Sequence, residues 1–375
     1  MKEITAIIRA FDQAASIGLH AALATVVKVE GSSYRQPGAR MLVTEDGILT
    51  GAISGGCLEG DALRKALLCI DQKRNKLITY DTSNEEDAEF GVQLGCNGIV
   101  HILFEHIDTS QENHPIALLK LLEGQRSDAV TLTIFSLDDR LDQPGTVLFK
   151  KDGKEEVVST AGPHGLITQA TAVLMRKETA VLDIVANEIT YQGLYQFHTP
   201  ALSLVIAGAG NDVKPLVAAA AIPGWEITVV DGRASHARTD RFPAASQVIT
   251  AKAPDVLDQL QIDGNTLFLL MTHNYKYDIA LLKTLLPTVV PYIGILGPKS
   301  KWQRMRDDLE QSGIVLSTTD QERIFTPVGL DIGAETSEEI AISIVAEIQA
   351  FLKGKTGTSL KFKPGKIHNE KQQSI

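Results

Sequence analysis

Two of the chain's three cysteines lie in glycine-rich segments that suit reactive thiols. Cys57 follows Gly55 and Gly56 in SGGCLEGD, where a helix is predicted to begin, and the positive end of a helix dipole favours a thiolate. Cys96 lies in GVQLGCNGI, ahead of an apolar strand. A thiolate can ligate a metal, attack an electrophile or carry sulfur, whereas a free cysteine is also a common small core residue. We interpret Cys57 and Cys96 as candidate sulfur-handling thiols of one shared site, and Cys69 as a core residue.

The segment GSSYRQPGAR, residues 31–40, is here called the first loop because it joins two predicted strands. It combines small residues such as Ser33 and Gly38 with two guanidinium groups, Arg35 and Arg40. Backbone amides and arginines together favour an anion. The alternative is that both arginines pair with acidic groups of the protein itself.

A glycine turn in the second half of the chain has the form of a dinucleotide-binding site. Gly208 and Gly210 follow an apolar run at 202–207 and precede a predicted helix, whose N-terminus attracts a pyrophosphate. Asp231 ends the next strand, where an acid would hydrogen-bond ribose hydroxyls. Arg233 either accepts a 2′-phosphate or is a solvated loop arginine, so NAD and NADP both stay open as cofactors.

A second polar segment, Thr272 and His273, follows a predicted buried strand. The carboxyl ends of parallel strands face the crevice where open α/β sheets bind ligands, so His273 is a candidate acid/base or ligand donor. The alternative is a histidine that caps a helix or has its hydrogen bonds satisfied within the loop. Val213 replaces the usual third glycine or alanine, and Asp212 adds negative charge where a phosphate would lie, so nucleotide binding itself stays open.

The order of predicted elements indicates two domains. Short strands and amphipathic helices mix without a repeat as far as His198, after which the pattern becomes strand, glycine turn, helix, strand. We predict an α/β chain with a mixed α+β domain over 1–198, a Rossmann-like, doubly wound domain over 199–352 and a basic, disordered tail over 353–375. The expected elements include helices from Ile4 to before Gly18, over 57–73, over 213–222 and from Thr336, and strands over 202–207, 226–231, 247–250, 266–272 and 291–296.

Composition excludes several classes of protein. The net charge of -10 has the wrong sign for a protein that wraps nucleic acid. We find no run of about 18 apolar residues that would span a bilayer, and the first dozen residues do not resemble a signal peptide, so we expect a soluble, cytoplasmic protein. Three cysteines without a CxxC pair form neither a disulfide framework nor a zinc site.

The motifs taken together resemble one family. From about residue 5 to residue 352, the chain carries in order GSSYRQPGARMLV, GAISGGCLEGDAL, FGVQLGCNG, GAG with VVDGR, ARTDRFP, MTHNYKYD, YIGILGPKSK and PVGLDIGAETSEEIAISIVAEI. This series is similar to that of the XdhC/CoxI family of molybdoenzyme accessory proteins. The resemblance implies an N-terminal XdhC/CoxI domain and a C-terminal Rossmann-like XdhC domain.

The resemblance also implies a function. Members of the family are expected to bind molybdenum cofactor (molybdopterin), to hold it while a cysteine desulfurase supplies a sulfido ligand, and to insert it into an apo molybdenum hydroxylase such as xanthine dehydrogenase. The chain would then be a chaperone rather than a catalyst. Carried over onto this sequence, Cys57 is the candidate contact for molybdenum, with Cys96 in support.

Two other functions are kept as alternatives. The first is an NAD(P)-dependent oxidoreductase that uses Gly208, Gly210 and Asp231 for the cofactor and His273 as the acid/base. The second is a scaffold that docks desulfurase and apoenzyme without touching the cofactor. Homodimerisation is one common way to complete such a site, although no residue pattern specifies it.

Overall fold

The computed structural model of the chain divides into two compact units, Met1–Pro200 and Ala201–Ile375. The structure describes residues 1–81, 98–124, 126–138, 142–151, 154–157, 165–186 and 188–364. Cys96 therefore lies outside the described residues. No helix in these ranges is long and apolar enough to cross a bilayer.

The first unit contains two five-stranded sheets with antiparallel pairing. The first sheet has the order β3-β2-β1-β5-β4 and the second the order β8-β7-β6-β10-β9. The strands are β1 (Ala21–Gly31), β2 (Arg40–Thr44), β3 (Leu49–Gly51), β4 (Lys76–Asp81), β5 (Gly98–His106), β6 (Ala129–Phe135), β7 (Gly145–Lys151), β8 (Lys154–Val157), β9 (Ala180–Ala186) and β10 (Ile189–His198). The helices are α1 (Lys2–Ser16), α2 (Glu59–Gln72), α3 (Pro115–Lys120) and α4 (Gly165–Arg176).

The packing of the first unit follows from the alternation of side chains along its strands. Ala24 of β1 faces outward and joins a cluster with Ala66 of α2. Its neighbour Leu23 faces the other way and joins a cluster with Phe149 of the second sheet. Ala170 of α4 packs on the outer face of that second sheet. The α2 and α4 helices therefore cover the outer faces of the two sheets, and α1 and α3 join the cluster that contains Leu23 and Phe149.

The second unit is built on one six-stranded parallel sheet with the order β13-β12-β11-β14-β15-β16. Its strands are β11 (Ser203–Ala207), β12 (Glu226–Asp231), β13 (Gln247–Thr250), β14 (Thr266–Leu270), β15 (Tyr292–Ile295) and β16 (Ile324–Phe325). Its helices are α5 (Val213–Ala221), α6 (Tyr275–Leu285), α7 (Lys299–Gln311), α8 (Thr318–Arg323) and α9 (Ser337–Leu352).

The strand order places a topological switch point between β11 and β14. From β11 the chain moves outward through β12 and β13, then returns to the other side of β11 for β14. The α5 and α9 helices contribute to the hydrophobic core on one face of the sheet, and α6 and α7 to the core on the other. This doubly wound arrangement confirms the Rossmann-like fold and locates the crevice where such sheets bind ligands.

Several predicted elements are confirmed with small shifts at their ends. The opening helix runs from Lys2 to Ser16, and the strands at 226–231 and 247–250 have the predicted bounds. The last helix begins after Thr336, which forms a capping box with Glu339. Residues 353–364 include one 3-10 turn, Leu360–Phe362, and 365–375 lie outside the described residues.

Candidate functional sites

The turn that carries Cys57 is shaped by a buried serine. Ser54 accepts hydrogen bonds through Oγ from the amides of Gly56 and Leu58, both at 3.1 Å. Its own amide donates to Glu59 Oε1 at 2.9 Å, and its hydroxyl donates to Oε2 of the same carboxylate. Burial alone would raise the pKa of Glu59, but these hydrogen bonds bring it below its usual value. Ser54 therefore fixes the turn, a role that its motif did not reveal.

Cys57 itself is half-buried against the core of the first sheet. The predicted helix start at Cys57 is wrong by two residues, because α2 begins at Glu59 and its N-cap is Leu58. Gly56 has φ +107°, and a Cβ there would meet nothing within 4 Å. The backbone conformation, rather than a lack of space, thus favours glycine beside the thiol.

The first loop, the Cys57 turn and the start of β5 lie close together in the first unit. A Cβ built at Gly55 would lie 3.4 Å from the ring of Tyr34, so the Cys57 turn packs against the first loop. A Cβ at Gly98 would lie 2.6 Å from the carbonyl oxygen of Ser32, so the start of β5 also approaches that loop. Gly98 is the first described residue after Cys96, and Cys96 itself stays a candidate only by its sequence.

The two arginines of the first loop contact protein atoms. Arg35 forms an ion pair with Glu3 of α1, as the ion-pair alternative expected. Arg40 is buried between the sheets, where it donates through Nη1 to Gly38 O at 3.2 Å and to Gln196 Oε1 at 2.5 Å. Burial lowers the pKa of Arg40 to about 10. Of the two arginines, only Arg35 is therefore partly accessible to solvent, while the buried Arg40 stabilises the loop through its bond to Gly38 O.

A polar cavity of about 630 Å³ lies elsewhere in the first unit. Its lining includes Lys73, which caps the C-terminal end of α2, together with His106 and His114. Burial lowers the pKa of both imidazoles, so they are neutral at pH 7. The 14 residues of α2, about 21 Å, separate this cavity from the Cys57 turn.

In the second unit, the glycine turn is set by close backbone contacts. Gly208 has φ +127°, and a Cβ there would lie 2.4 Å from Met271 O at the end of β14. A Cβ at Gly210 would lie 2.2 Å from Asp212 Oδ1. Both glycines thus serve contacts inside the protein: the first with the neighbouring strand and the second with the side chain at the start of α5.

An acid and a histidine bridge the switch point. His273 Nε2 lies 2.7 Å from Asp212 Oδ2, joining the loop after β14 to the turn after β11. His273 adopts φ +54°, which is uncommon for a residue other than glycine. Asp212 is the N-cap of α5, so its carboxylate lies at the helix end where a phosphate binds in dinucleotide folds.

The carboxylate of Asp231 is fully engaged within the protein. It accepts hydrogen bonds from Ala209 N at 2.8 Å and from Arg233 N, Nε and Nη2 at 2.9, 2.9 and 2.8 Å. Burial would raise the pKa of Asp231, but the hydrogen bonds from Arg233 bring it below its usual value. A ribose diol would have to displace these partners to reach the carboxylate.

A buried ion pair between Asp278 and Lys301 lies beside this crevice and was not predicted from the sequence. Asp278 has no exposed surface, and Lys301 Nζ donates to its Oδ2 at 2.7 Å and to Leu296 O at 2.7 Å. Thr272 donates its hydroxyl to the other carboxylate oxygen at 2.5 Å. The predicted residue Thr272 is thus held by Asp278 of α6, which in turn pairs with Lys301 of α7. Asp278 and Lys301 lie in MTHNYKYD and GPKSK, but only the three-dimensional structure pairs them.

Arg241 is a further residue that the sequence analysis missed. Its Nη1 donates to the carbonyl oxygens of Ala209 and His236, both at 2.7 Å, and its Nη2 donates to Asn211 Oδ1 at 3.0 Å. These bonds fasten the glycine turn to the segment after β12. ARTDRFP carried this arginine, but its partners in the glycine turn, Ala209 and Asn211, lie 32 and 30 residues before it in sequence.

Two family models match the chain. The one described as the XdhC and CoxI family matches residues 15–81, which include the first loop and Cys57. The one described as the XdhC Rossmann domain matches residues 204–348, which include the crevice. Both matches agree with the sheet topology, and the fold class expected from the sequence is confirmed.

The similar proteins span nearly the whole chain. A Bacillus subtilis protein, described as a probable subunit of xanthine dehydrogenase, is 32% identical over 329 residues, covering 88% of this chain and 92% of that protein. The Escherichia coli molybdenum cofactor insertion chaperone PaoD is 24% identical, covering 91% of this chain and 86% of its own. A crystal structure from Bacillus halodurans, described as a xanthine dehydrogenase, matches with a TM-score of 0.73 at 28% identity, covering 96% of this chain and 98% of that one.

Proposed function

This chain belongs to the XdhC and CoxI family, and we propose that it binds a molybdenum cofactor and inserts it into a molybdenum hydroxylase such as xanthine dehydrogenase. The names of two relatives support this: one is a molybdenum cofactor insertion chaperone and the other a probable xanthine dehydrogenase subunit. The observation that carries the proposal in this chain is the half-buried thiol of Cys57 in a glycine turn. The cofactor is cargo in this function.

The residues at the Cys57 turn fit such a cargo. A thiolate is a soft donor, which suits a sulfur-rich molybdenum centre. The turn leaves room at Gly56, the residue next to the thiol, because apart from its two chain neighbours nothing lies within 4 Å of the position that a Cβ there would take. The turn is also rigid, since Ser54 accepts two of its amide hydrogens. A fixed thiol with open space next to it can receive a bulky ligand without rearranging the backbone.

We assign roles to the surrounding residues as part of the same proposal. Cys57 contacts the molybdenum end, and Cys96 supports it. Ser33 and Gly55 offer polar groups of the first loop and the turn. Arg35, whose side chain is 29% exposed, binds the cofactor's phosphate after exchanging its partner Glu3. A cysteine desulfurase would supply the sulfido ligand while this chain holds the cofactor.

The test is the molybdenum and pterin content of the full chain purified from a cofactor-producing host. We expect stoichiometric cofactor in the wild type and its loss in Cys57→Ser, because a hydroxyl is a much poorer ligand for a soft metal. Cys69→Ala is the matched control. That thiol is buried, donates to Arg74 O at 3.0 Å and has its pKa raised to about 12 by burial, so it cannot serve as a thiolate ligand.

The outcomes separate the alternatives. Cofactor retained by Cys57→Ser would keep the carrier function and remove this thiol from binding. A wild-type chain that stays empty although cofactor is abundant and apoenzyme absent would contradict the proposal and favour a cofactor-free scaffold.

A further inference from the structure

Tyr34 in the first loop is unusually exposed for a large aromatic side chain. Its relative exposure is 72%, and among the Phe, Tyr and Trp residues that the structure describes only Phe362 is also classed as exposed. The loop around it is held by bonds that do not involve Arg35, because Gly38 O accepts from Arg40 Nη1 at 3.2 Å and Gly38 N donates to Val26 O at 2.8 Å. A fixed loop thus presents an aromatic ring to solvent, although transfer of such a ring out of water is favourable.

The ring lies flat against the Cys57 turn. A Cβ built at Gly55 would be 3.4 Å from Cγ of Tyr34 and 3.5 and 3.6 Å from Cδ1 and Cδ2. These three nearly equal distances place Gly55 over a face of the ring, since an approach along the ring edge would leave Cδ1 and Cδ2 much farther away. One face is therefore covered by backbone, and the exposure of Tyr34 leaves the other face available.

The thiol is close to this ring along the chain. Cys57 follows Gly55 by two residues, so their Cα atoms are at most about 7.6 Å apart. Gly56 between them has open space where a side chain would project. The aromatic face of Tyr34 in the first loop thus lies against the same turn that carries Gly56 and the thiol of Cys57.

We propose that Tyr34 is a stacking platform for the planar pyrimidine portion of a pterin, held while Cys57 contacts the metal end of the same ligand. This inference rests on the proposed function and adds to it a residue that recognises the organic part of the cofactor. A flat heteroaromatic ring fits the observations best, because stacking requires only an accessible π-face and no hydrogen-bond partner on Tyr34.

The experiment compares how fast the loaded full-length chain loses its cofactor. Wild type, Tyr34→Phe, Tyr34→Leu and Phe362→Leu are purified from a cofactor-producing host, diluted, and assayed for bound pterin and molybdenum over time. Removing an aromatic stacking partner weakens ring binding by about 5- to 150-fold. We expect Tyr34→Leu to release cofactor about tenfold faster or more, and Tyr34→Phe to match the wild type because the ring is kept.

Phe362→Leu is the matched control, since it removes an equally exposed ring from the second unit. Equal thermal unfolding midpoints for all four proteins are expected, because both rings are exposed. Release from Tyr34→Leu at the wild-type rate would overturn the inference while leaving the proposed function intact. A wild type that carries no cofactor would overturn both.

Discussion

The buried pair of Asp278 and Lys301 offers a sharp test of how the second unit is held together. In Lys301→Met the side chain keeps most of its stem but loses the ammonium group that donates to Asp278 Oδ2 and to Leu296 O. The carboxylate, which has no exposed surface, then retains only the hydrogen bonds from Thr272. We expect Lys301→Met to lower the free energy of unfolding of the second unit.

The size of the effect follows from burial. Removing one partner of a buried ion pair costs about 3–5 kcal/mol, because the other charge is left without compensation. The Lys301 side chain is 18% exposed, so water partly screens the pair and we expect the lower end of this range, about 3 kcal/mol. This equals roughly a 150-fold change in the unfolding equilibrium. With a urea dependence of about 2 kcal/mol per molar, the midpoint falls by about 1.5 M.

Tryptophan fluorescence isolates the second unit in this assay. The chain has two tryptophans, Trp225 and Trp302, and both lie in that unit. Urea unfolding followed by their emission thus reports on the unit that contains the pair. The control is Lys276→Met, because Lys276 is exposed on the neighbouring helix α6 and its loss should change stability by less than about 0.5 kcal/mol.

The reasoning would be refuted by a Lys301→Met midpoint no lower than that of Lys276→Met. A double variant gives a second check. In Asp278→Asn with Lys301→Met the uncompensated charge is gone, so the combined loss should be clearly smaller than the sum of the two single losses. Strict additivity would mean that the 2.7 Å contact contributes nothing to stability.

Three further predictions concern the glycine turn, the interior of the first unit and the nucleotide alternative. Gly208→Ala should destabilise the second unit by about 2 kcal/mol or more, because Gly208 has φ +127° and the new Cβ would clash with Met271 O. The control Gly264→Ala, whose Cβ would have nothing within 4 Å, should cost under about 0.5 kcal/mol in the same urea assay. Burial holds the pKa of His198 well below 6.5, so an NMR titration should find the ring neutral at pH 6, and a protonated ring at that pH would contradict the assignment. Because the unfolded chain takes up a proton at His198 below pH 6.5, the free energy of unfolding should fall there by up to about 1.4 kcal/mol per pH unit as the pH is lowered. NADH and NADPH should show no saturable binding by fluorescence, because Asp231 already accepts four hydrogen bonds. Tight binding would contradict this prediction, and redox turnover of the bound nucleotide would restore the oxidoreductase alternative.

Much of the fold could be predicted because its signals are local. The helix from Lys2 to Ser16 follows from apolar spacing, and the last helix from the capping box at Thr336. The parallel strands of the second unit are short apolar runs bounded by glycine turns, a pattern typical of buried strands. The predicted start of α2 was two residues too early, because the hydrogen bonds between Ser54 and Glu59 stabilise a turn ahead of the helix.

The details of the candidate sites could not be predicted because they depend on partners far apart in sequence. The sequence left two interpretations of the arginines in the first loop, and the choice depends on Glu3, 32 residues before Arg35, and on Gln196, 156 residues after Arg40. The same holds for Asp212, whose partner His273 is 61 residues away. Residue types can identify candidate binding groups, but the packing of strands and helices decides which of them already have a hydrogen-bond or ion-pair partner within the protein.

This difference between engaged and available groups favours the first unit as the half that receives the cofactor. In the second unit, Asp231 and Asp278 form ion pairs with Arg233 and Lys301, and Asp212 contacts His273, so a ligand entering the crevice would have to displace an existing partner. In the first unit, the Cys57 turn lies beside open space and an uncovered aromatic face at Tyr34. Binding at the thiol and the ring breaks no ion pair, although Arg35 would exchange its partner Glu3 to reach the phosphate. The Cys57 and Tyr34 variants therefore test the binding site more directly than any change in the crevice.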